Sequence, residues 1–189
     1  HHETSRKDGT TMPASHLKSL VRTIPDYPKP GIMFRDVTTL FGDAQGFKAT
    51  IAQLTAPYRT VPVDAIAGIE ARGFIMGGAM ADHLGCGFIP IRKRGKLPWK
   101  TYAQDYELEY GIDTIEMHQD ALARGRRVLI VDDLIATGGT AEAAAKLIEH
   151  AGGEIVGAAF IIDLPELGGA DKLRARGIDV HVLMAFEGH

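Results

Sequence analysis

The chain has 189 residues, a formal net charge of −3 and 45% hydrophobic residues, which is the size and composition of one ordinary globular domain. That charge gives no sign of a nucleic-acid-binding surface. No apolar run is long enough to span a membrane, no signal-peptide pattern is present, and a single cysteine excludes an internal disulfide and fits a reducing compartment.

Residues 1–11 are polar and without periodicity, and His1-His2 reads as the end of an expression tag. Residues 12–189 read as one domain. Leu17, Leu20, Val21 and Ile24 fall on one helical face, with Ser15 able to cap it. Pro25, Pro28 and Pro30 end that helix and give an extended segment. The run Pro30-Gly31-Ile32-Met33-Phe34-Arg35-Asp36 is a fixed loop that either lines a pocket or simply packs Phe34 into the core. Phe47, Ile51, Leu54 and Tyr58 mark a second helix. Residues 64–69 form a strand that ends at Glu70-Ala71-Arg72-Gly73-Phe74, and a small-residue helix follows over 75–84. An arginine in that turn, next to a glycine, reads as a clamp on an anion. The plainer alternative is a surface salt bridge to Glu70 or Asp82.

Residues 87–91 are a further strand, with Cys86 just ahead of it between two glycines as small core filler. The strand leads into Arg92-Lys93-Arg94-Gly95-Lys96, either a polyphosphate contact or a solvated basic loop. From Trp99 to Tyr110 the pattern is aromatic and polar, as in active-site lids. A two-stranded arm over 106–110 and 112–118 is the other reading, and the arm can itself be the lid. The eight histidines show no metal-ligand spacing. H-E-x-x-H, the Walker-type loop and a full G-x-G-x-x-G are absent, which argues against an ordinary ATPase or NAD enzyme.

The rest is organised around residues 128–140, V-L-I-V-D-D-L-I-A-T-G-G-T. A β-branched apolar run suits a buried strand. Asp132 and Asp133 close it. The small-residue turn Ala136, Thr137, Gly138, Gly139, Thr140 follows, and Ala141, Ala144, Ala145 and Ile148 then repeat at helical spacing. Glycines let a backbone approach a phosphate, and helix-start amides favour an anion. Thr137 and Thr140 add hydroxyl donors. Two carboxylates beside such a turn repel phosphate but accept hydrogen bonds from sugar hydroxyls. The pairing points to a ribose 5-phosphate, with the sugar over the aspartates. Strands at 154–162 and 178–185 complete an α/β fold: a mainly parallel twisted sheet with helices on both faces.

The 128–140 stretch resembles the phosphoribosyl pyrophosphate (PRPP) binding motif of type I phosphoribosyltransferases. Within that family, P-G-I-x-F-R-D is similar to the adenine-binding segment of the adenine-specific branch. The resemblance implies a flexible lid and an N-terminal hood on the sheet. It implies that Phe34 stacks on the base, that the backbone of Met33 and Arg35 meets its edge, and that Leu164 packs on its other face. Arg72 (in x-R-G-F), Lys93 and Lys96 fall at the pyrophosphate, and Asp132 and Asp133 at the ribose. L-E-Y-G resembles the catalytic loop, with Glu109 as general acid/base and Tyr110 closing over the site. The implied reaction converts adenine and PRPP to AMP and pyrophosphate. Mg²⁺ is held mainly by PRPP rather than by protein ligands, and the protein is a cytoplasmic homodimer of purine salvage that binds neither nucleic acid nor membrane. Two rivals are a phosphoribosyltransferase for another base, such as hypoxanthine, xanthine or orotate, and a non-enzymatic PRPP sensor.

Overall fold

Along the central strands, successive residues are buried on opposite faces, so the sheet has to be covered on both sides. In the computed structural model, which describes residues 12–108 and 110–188, the chain runs α1 (Ala14–Ser19), β1 (Arg22–Pro25), β2 (Met33–Asp36), α2 (Thr38–Phe41), α3 (Ala44–Thr55), β3 (Ala65–Ile69), α4 (Arg72–Leu84), β4 (Gly87–Lys93), β5 (Thr101–Leu108), β6 (Gly111–His118), β7 (Arg127–Ile135), α5 (Gly139–His150), β8 (Glu154–Asp163), α6 (Gly169–Ala175) and β9 (Val180–Ala185). The seven-stranded sheet has the order β5-β6-β4-β3-β7-β8-β9. The five strands from β4 to β9 are parallel, while β6 and β5 run antiparallel at one edge. Ala67, Ile130 and Phe160 face a core shared with Ala144 and Ile148 of α5. Ile66, Leu129 and Ile161 face the opposite core, with Leu54 of α3 and Met76 and Met80 of α4. Among the described residues no helix is long and apolar enough to cross a membrane.

This order sets the position of the cleft. The chain leaves β3 towards β4 on one side and leaves β7 towards β8 on the other. The carboxyl ends of β3 and β7 therefore flank the point where the winding reverses, which is where open α/β sheets bind ligands.

Several expected boundaries move. The first helix stops at Ser19, not Ile24, and residues 22–25 form β1. Its partner is β2, so the expected loop over 30–36 is half strand; Ile24 lies opposite Phe34 and Arg22 opposite Asp36. Cross-strand packing and an ion pair between Arg22 and Asp36 override the helical spacing there. The helix expected from Phe47 to Tyr58 begins earlier, at Ala44, because Asp43 caps it by accepting from the Gly46 amide at 2.8 Å. Its last expected turn is a 3-10 turn, Ala56–Tyr58. Cys86 is a free thiol packed at the edge of the core, and burial pushes its pKa up.

Asp36 ties the β1–β2 unit to α2. It accepts from the Thr38 hydroxyl at 2.6 Å, the Thr38 amide at 2.9 Å and Arg22 at 2.5 Å. The Thr38 hydroxyl, and after it Arg22, hold its pKa down to about 2. A depressed carboxylate stabilises the fold above its unfolded pKa of about 4, and that contribution is lost as pH falls towards about 2. Asp36→Asn is expected to melt below the parent at pH 6, with the gap narrowing steadily down to pH 3. A gap of constant size across thermal melts in that range would refute the assignment.

Candidate active site

Both ends of the cleft are built from strand-to-helix turns. After β7, residues 136–138 turn the chain into α5, whose first residue is Gly139. Gly138 has φ +85°, a conformation that side-chain-bearing residues resist. A Cβ on Gly138 would lie 2.9 Å from the Cα of Gly169. The first residue of α6 thus presses against the turn, and its amide donates to the Ala136 carbonyl at 3.0 Å. The turn borders a cavity of about 190 Å³ lined by Ala136, Thr137, Gly138, Gly139 and Thr140, with Asp132 in its wall. Free amides at the start of a 12-residue helix make this cavity suited to an anion.

The two aspartates do not close the strand as expected. They lie inside β7, which continues to Ile135 because Leu134 and Ile135 stay paired with Ile162 and Asp163 of β8. Asp133 is buried and accepts from Arg72 Nε at 2.5 Å. Arg72 is the first residue of α4, so this pair spans the winding reversal from β3 to β7. Its partner is neither Glu70 nor Asp82. Asp132 accepts from the Asp133 amide at 2.9 Å. Burial, and then the Asp133 charge, push the Asp132 pKa well above the usual carboxylate range. Asp133 is paired with Arg72, which reduces the repulsion the acidic pair offers to an arriving phosphate.

A second cavity, of about 360 Å³, adjoins the first at Asp132, Leu134 and Ala136. Met33, Phe34 and Arg35 of β2 line one wall, Leu164 and Leu167 another, and Arg72, Asp132 and Asp133 the floor. Phe34 has Tyr27 edge-on at 5.3 Å and the Arg72 guanidinium 5.9 Å from its ring centroid. The Arg35 side chain bonds the Thr23 hydroxyl at 2.7 Å and stacks over Phe186. Because β2 has a strand partner on only one edge, the backbone of its other edge is available to a ligand. The volume suits a flat heterocycle between apolar walls.

The proposed pyrophosphate lysines are less engaged. Lys93 ends β4; its amide donates to Glu70 at 2.6 Å and its ammonium lies 3.6 Å from Asp113 of β6. Lys96 sits exposed on the following turn and makes no ion pair among the described residues. Glu109 lies outside the described residues. Tyr110 is 81% exposed, with the Lys29 ammonium 5.5 Å from its ring centroid. The arm is longer than expected, pairing from Thr101 with His118 to Leu108 with Gly111. It runs beside α5, where Tyr106 approaches Gly139, and it reaches the β1–β2 loop at Lys29. Sequence reasoning missed Tyr106, Asp113, Leu167 and Gly169. The Gly168-Gly169 pair was the available signal for the last of these, since paired glycines mark a tight turn. Among the described residues no three His, Cys, Asp or Glu side chains gather as a metal site.

Comparison with known proteins bears on the family and the fold. A family model described as a phosphoribosyl transferase domain matches residues 42–182. The adenine phosphoribosyltransferase of Maricaulis maris is 63% identical over 172 residues, covering 91% of this chain and 98% of the relative. The crystal structure of adenine phosphoribosyltransferase from Rhodothermus marinus superposes with a TM-score of 0.87 at 50% identity, over 92% of this chain and 98% of that one. The Saccharomyces cerevisiae adenine phosphoribosyltransferase, crystallised with an imino-altritol bisphosphate and adenine, gives 0.84 at 38% identity, over 90% of this chain and 98% of that one.

Proposed function

The chain belongs to the phosphoribosyltransferase family, and from that premise we propose how its cleft carries adenine to AMP. The reaction is that of adenine salvage: adenine and PRPP give AMP and pyrophosphate. The observation that carries the residue roles is the junction at Asp132. A purine-sized apolar pocket and a glycine-lined anion cradle share that carboxylate, and Asp133 lines the purine-sized pocket beside it.

The 5′-phosphate sits in the turn from Ala136 to Thr140, held by backbone amides and the Thr137 and Thr140 hydroxyls. The ribose lies over Asp132 and Asp133. Adenine enters between Phe34 and Leu164, with the β2 backbone at Met33 and Arg35 reading its edge. This fixes N9 against C1′ before reaction. As the C1′–O bond to pyrophosphate breaks, the ring gains oxocarbenium character and N9 forms the new bond. The N9 proton passes to Glu109. Arg72, Lys93 and Lys96 take up the charge of the leaving group. Tyr110 and the arm close over the site and keep water from the cation-like centre.

Mg²⁺ suits this donor set. The ion keeps waters and binds through one or two carboxylates plus substrate phosphates, and among the described residues the cleft holds two carboxylates rather than a closed cage. Asp132 and Asp133 would face its water shell. When bound, it supplies further charge neutralisation on the diphosphate. A homodimeric assembly and a cytoplasmic location complete the proposal and rest on the family resemblance.

The test is AMP formation from adenine and PRPP, with pyrophosphate released in equal amount. Hypoxanthine and orotate are expected to release none. Turnover of either in place of adenine would transfer the chain to another base, and PRPP binding without turnover would make it a sensor.

A further inference from the structure

Tyr106 lies on β5 at a place no role above uses. A Cβ on Gly139 would stand 3.6 Å from Tyr106 Cδ2 and 3.7 Å from the Glu107 carbonyl, which is ordinary contact distance. The ring therefore faces the first residue of α5, the helix that begins at the anion turn, across the space a Cβ would fill. Its hydroxyl lies 3.2 Å from Asp113 Oδ2, to which it donates. Asp113 in turn lies 3.6 Å from the Lys93 ammonium and is held by the Thr114 amide at 2.9 Å. One run of neighbours thus leads from Gly139 through Tyr106 and Asp113 to Lys93. It starts at the 5′-phosphate end of the cleft, crosses both strands of the arm, and finishes at the end assigned to pyrophosphate.

We propose that Tyr106 is a positioning residue that joins the two phosphate-binding ends of the cleft. Its ring seats the arm on the turn at Gly139. Its hydroxyl fixes Asp113, and Asp113 fixes the direction of Lys93. The inference rests on the assignment of the turn and Lys93 to the two ends of PRPP, and it deepens that assignment. Without the link each end still binds, but the arm no longer sets their spacing, and a ligand with phosphate at both ends loses more than adenine does.

A double-mutant cycle tests this, read by calorimetric titration of PRPP so that the result does not depend on which base reacts. Tyr106→Phe keeps the ring on Gly139 and removes only the hydroxyl. It is expected to weaken PRPP binding by about three- to tenfold, the worth of one net hydrogen bond. Asp113→Asn is expected to do the same, and the double variant no more than either alone. Inorganic phosphate at the turn and adenine KM are expected to hold at parent values in all three, with melting temperature unchanged. Adenine KM is a readout that general loosening of the arm would move. Parent-like PRPP affinity in Tyr106→Phe, or losses that multiply in the double variant, would overturn the link. Failure to form AMP from adenine would instead retire the base assignment and leave this result standing.

Discussion

Gly138→Ala is expected to raise the KM for PRPP by about 10²-fold. Two effects act at this one position. The residue sits at φ +85°, where an L side chain is strained at a cost of about 1–2 kcal/mol. The added Cβ would also stand 2.9 Å from Gly169 Cα and 3.0 Å from the Gly169 carbonyl. Neither neighbour is a flexible side chain, so relief has to come from the backbone. The turn can move away from α6, breaking the hydrogen bond that the Gly169 amide donates to the Ala136 carbonyl, or it can change φ and redirect its own amides. Both movements act on the groups proposed to hold the 5′-phosphate. The apolar pocket is walled mainly by β2 and by Leu164 and Leu167, and of the turn only Ala136 lines it, so adenine affinity is expected to stay within about twofold. Steady-state kinetics with each substrate varied in turn checks this. Equal losses for both substrates would mean that the whole cleft collapsed, and an unchanged PRPP KM would remove the turn from phosphate binding. Gly168→Ala is a useful comparison. It too has a positive φ, +79°, but nothing lies within 4 Å of its added Cβ. It should lower the melting temperature with little effect on PRPP.

The contrast between those two glycines also shows where the sequence was legible. Local pattern carried the α/β class, the parallel sheet and the 128–140 turn, because strand, turn and helix there follow one another within a dozen residues. The contact of Gly169 with Gly138 and the seat of Tyr106 on Gly139 join segments more than thirty residues apart, and no period or spacing reports such pairs. The first helix failed for a related reason. Val21 and Ile24 sit at helical spacing, but they are also β-branched, and pairing of Ile24 with Phe34 wins once β2 is in place. Asp132 and Asp133 stand out in the sequence as a pair. Their division of labour was not legible, since it depends on Arg72 arriving from α4 across the sheet.

That division leads to the other large effect, in Asp133→Asn. Two influences oppose each other. Removing a negative charge beside Arg72 makes the cleft more positive, which favours the approach of a polyanion. It also leaves Arg72 Nε without its charged partner at 2.5 Å, and an asparagine amide oriented the wrong way sets one donor against another. The first influence acts at a distance, through water in an open cleft, and salt screens it within about 10 Å. The second acts at contact, where a hydrogen bond to a charged group is worth about 1.5–3 kcal/mol. Contact wins, so PRPP KM is expected to rise about 10- to 100-fold. The remaining binding should be more salt-sensitive than in the parent, because more of it depends on unpaired positive charge. Stability should fall as well: the Arg72 side chain is 41% exposed but that of Asp133 only 7%, so the partly desolvated pair contributes about 1–3 kcal/mol, a melting shift of about 2–12 °C. KM measured at two ionic strengths, with a thermal melt alongside, separates these terms. A PRPP KM equal to or below the parent's would show that Arg72 needs no anchor, and that in this cleft net charge outweighs the direction in which the guanidinium points.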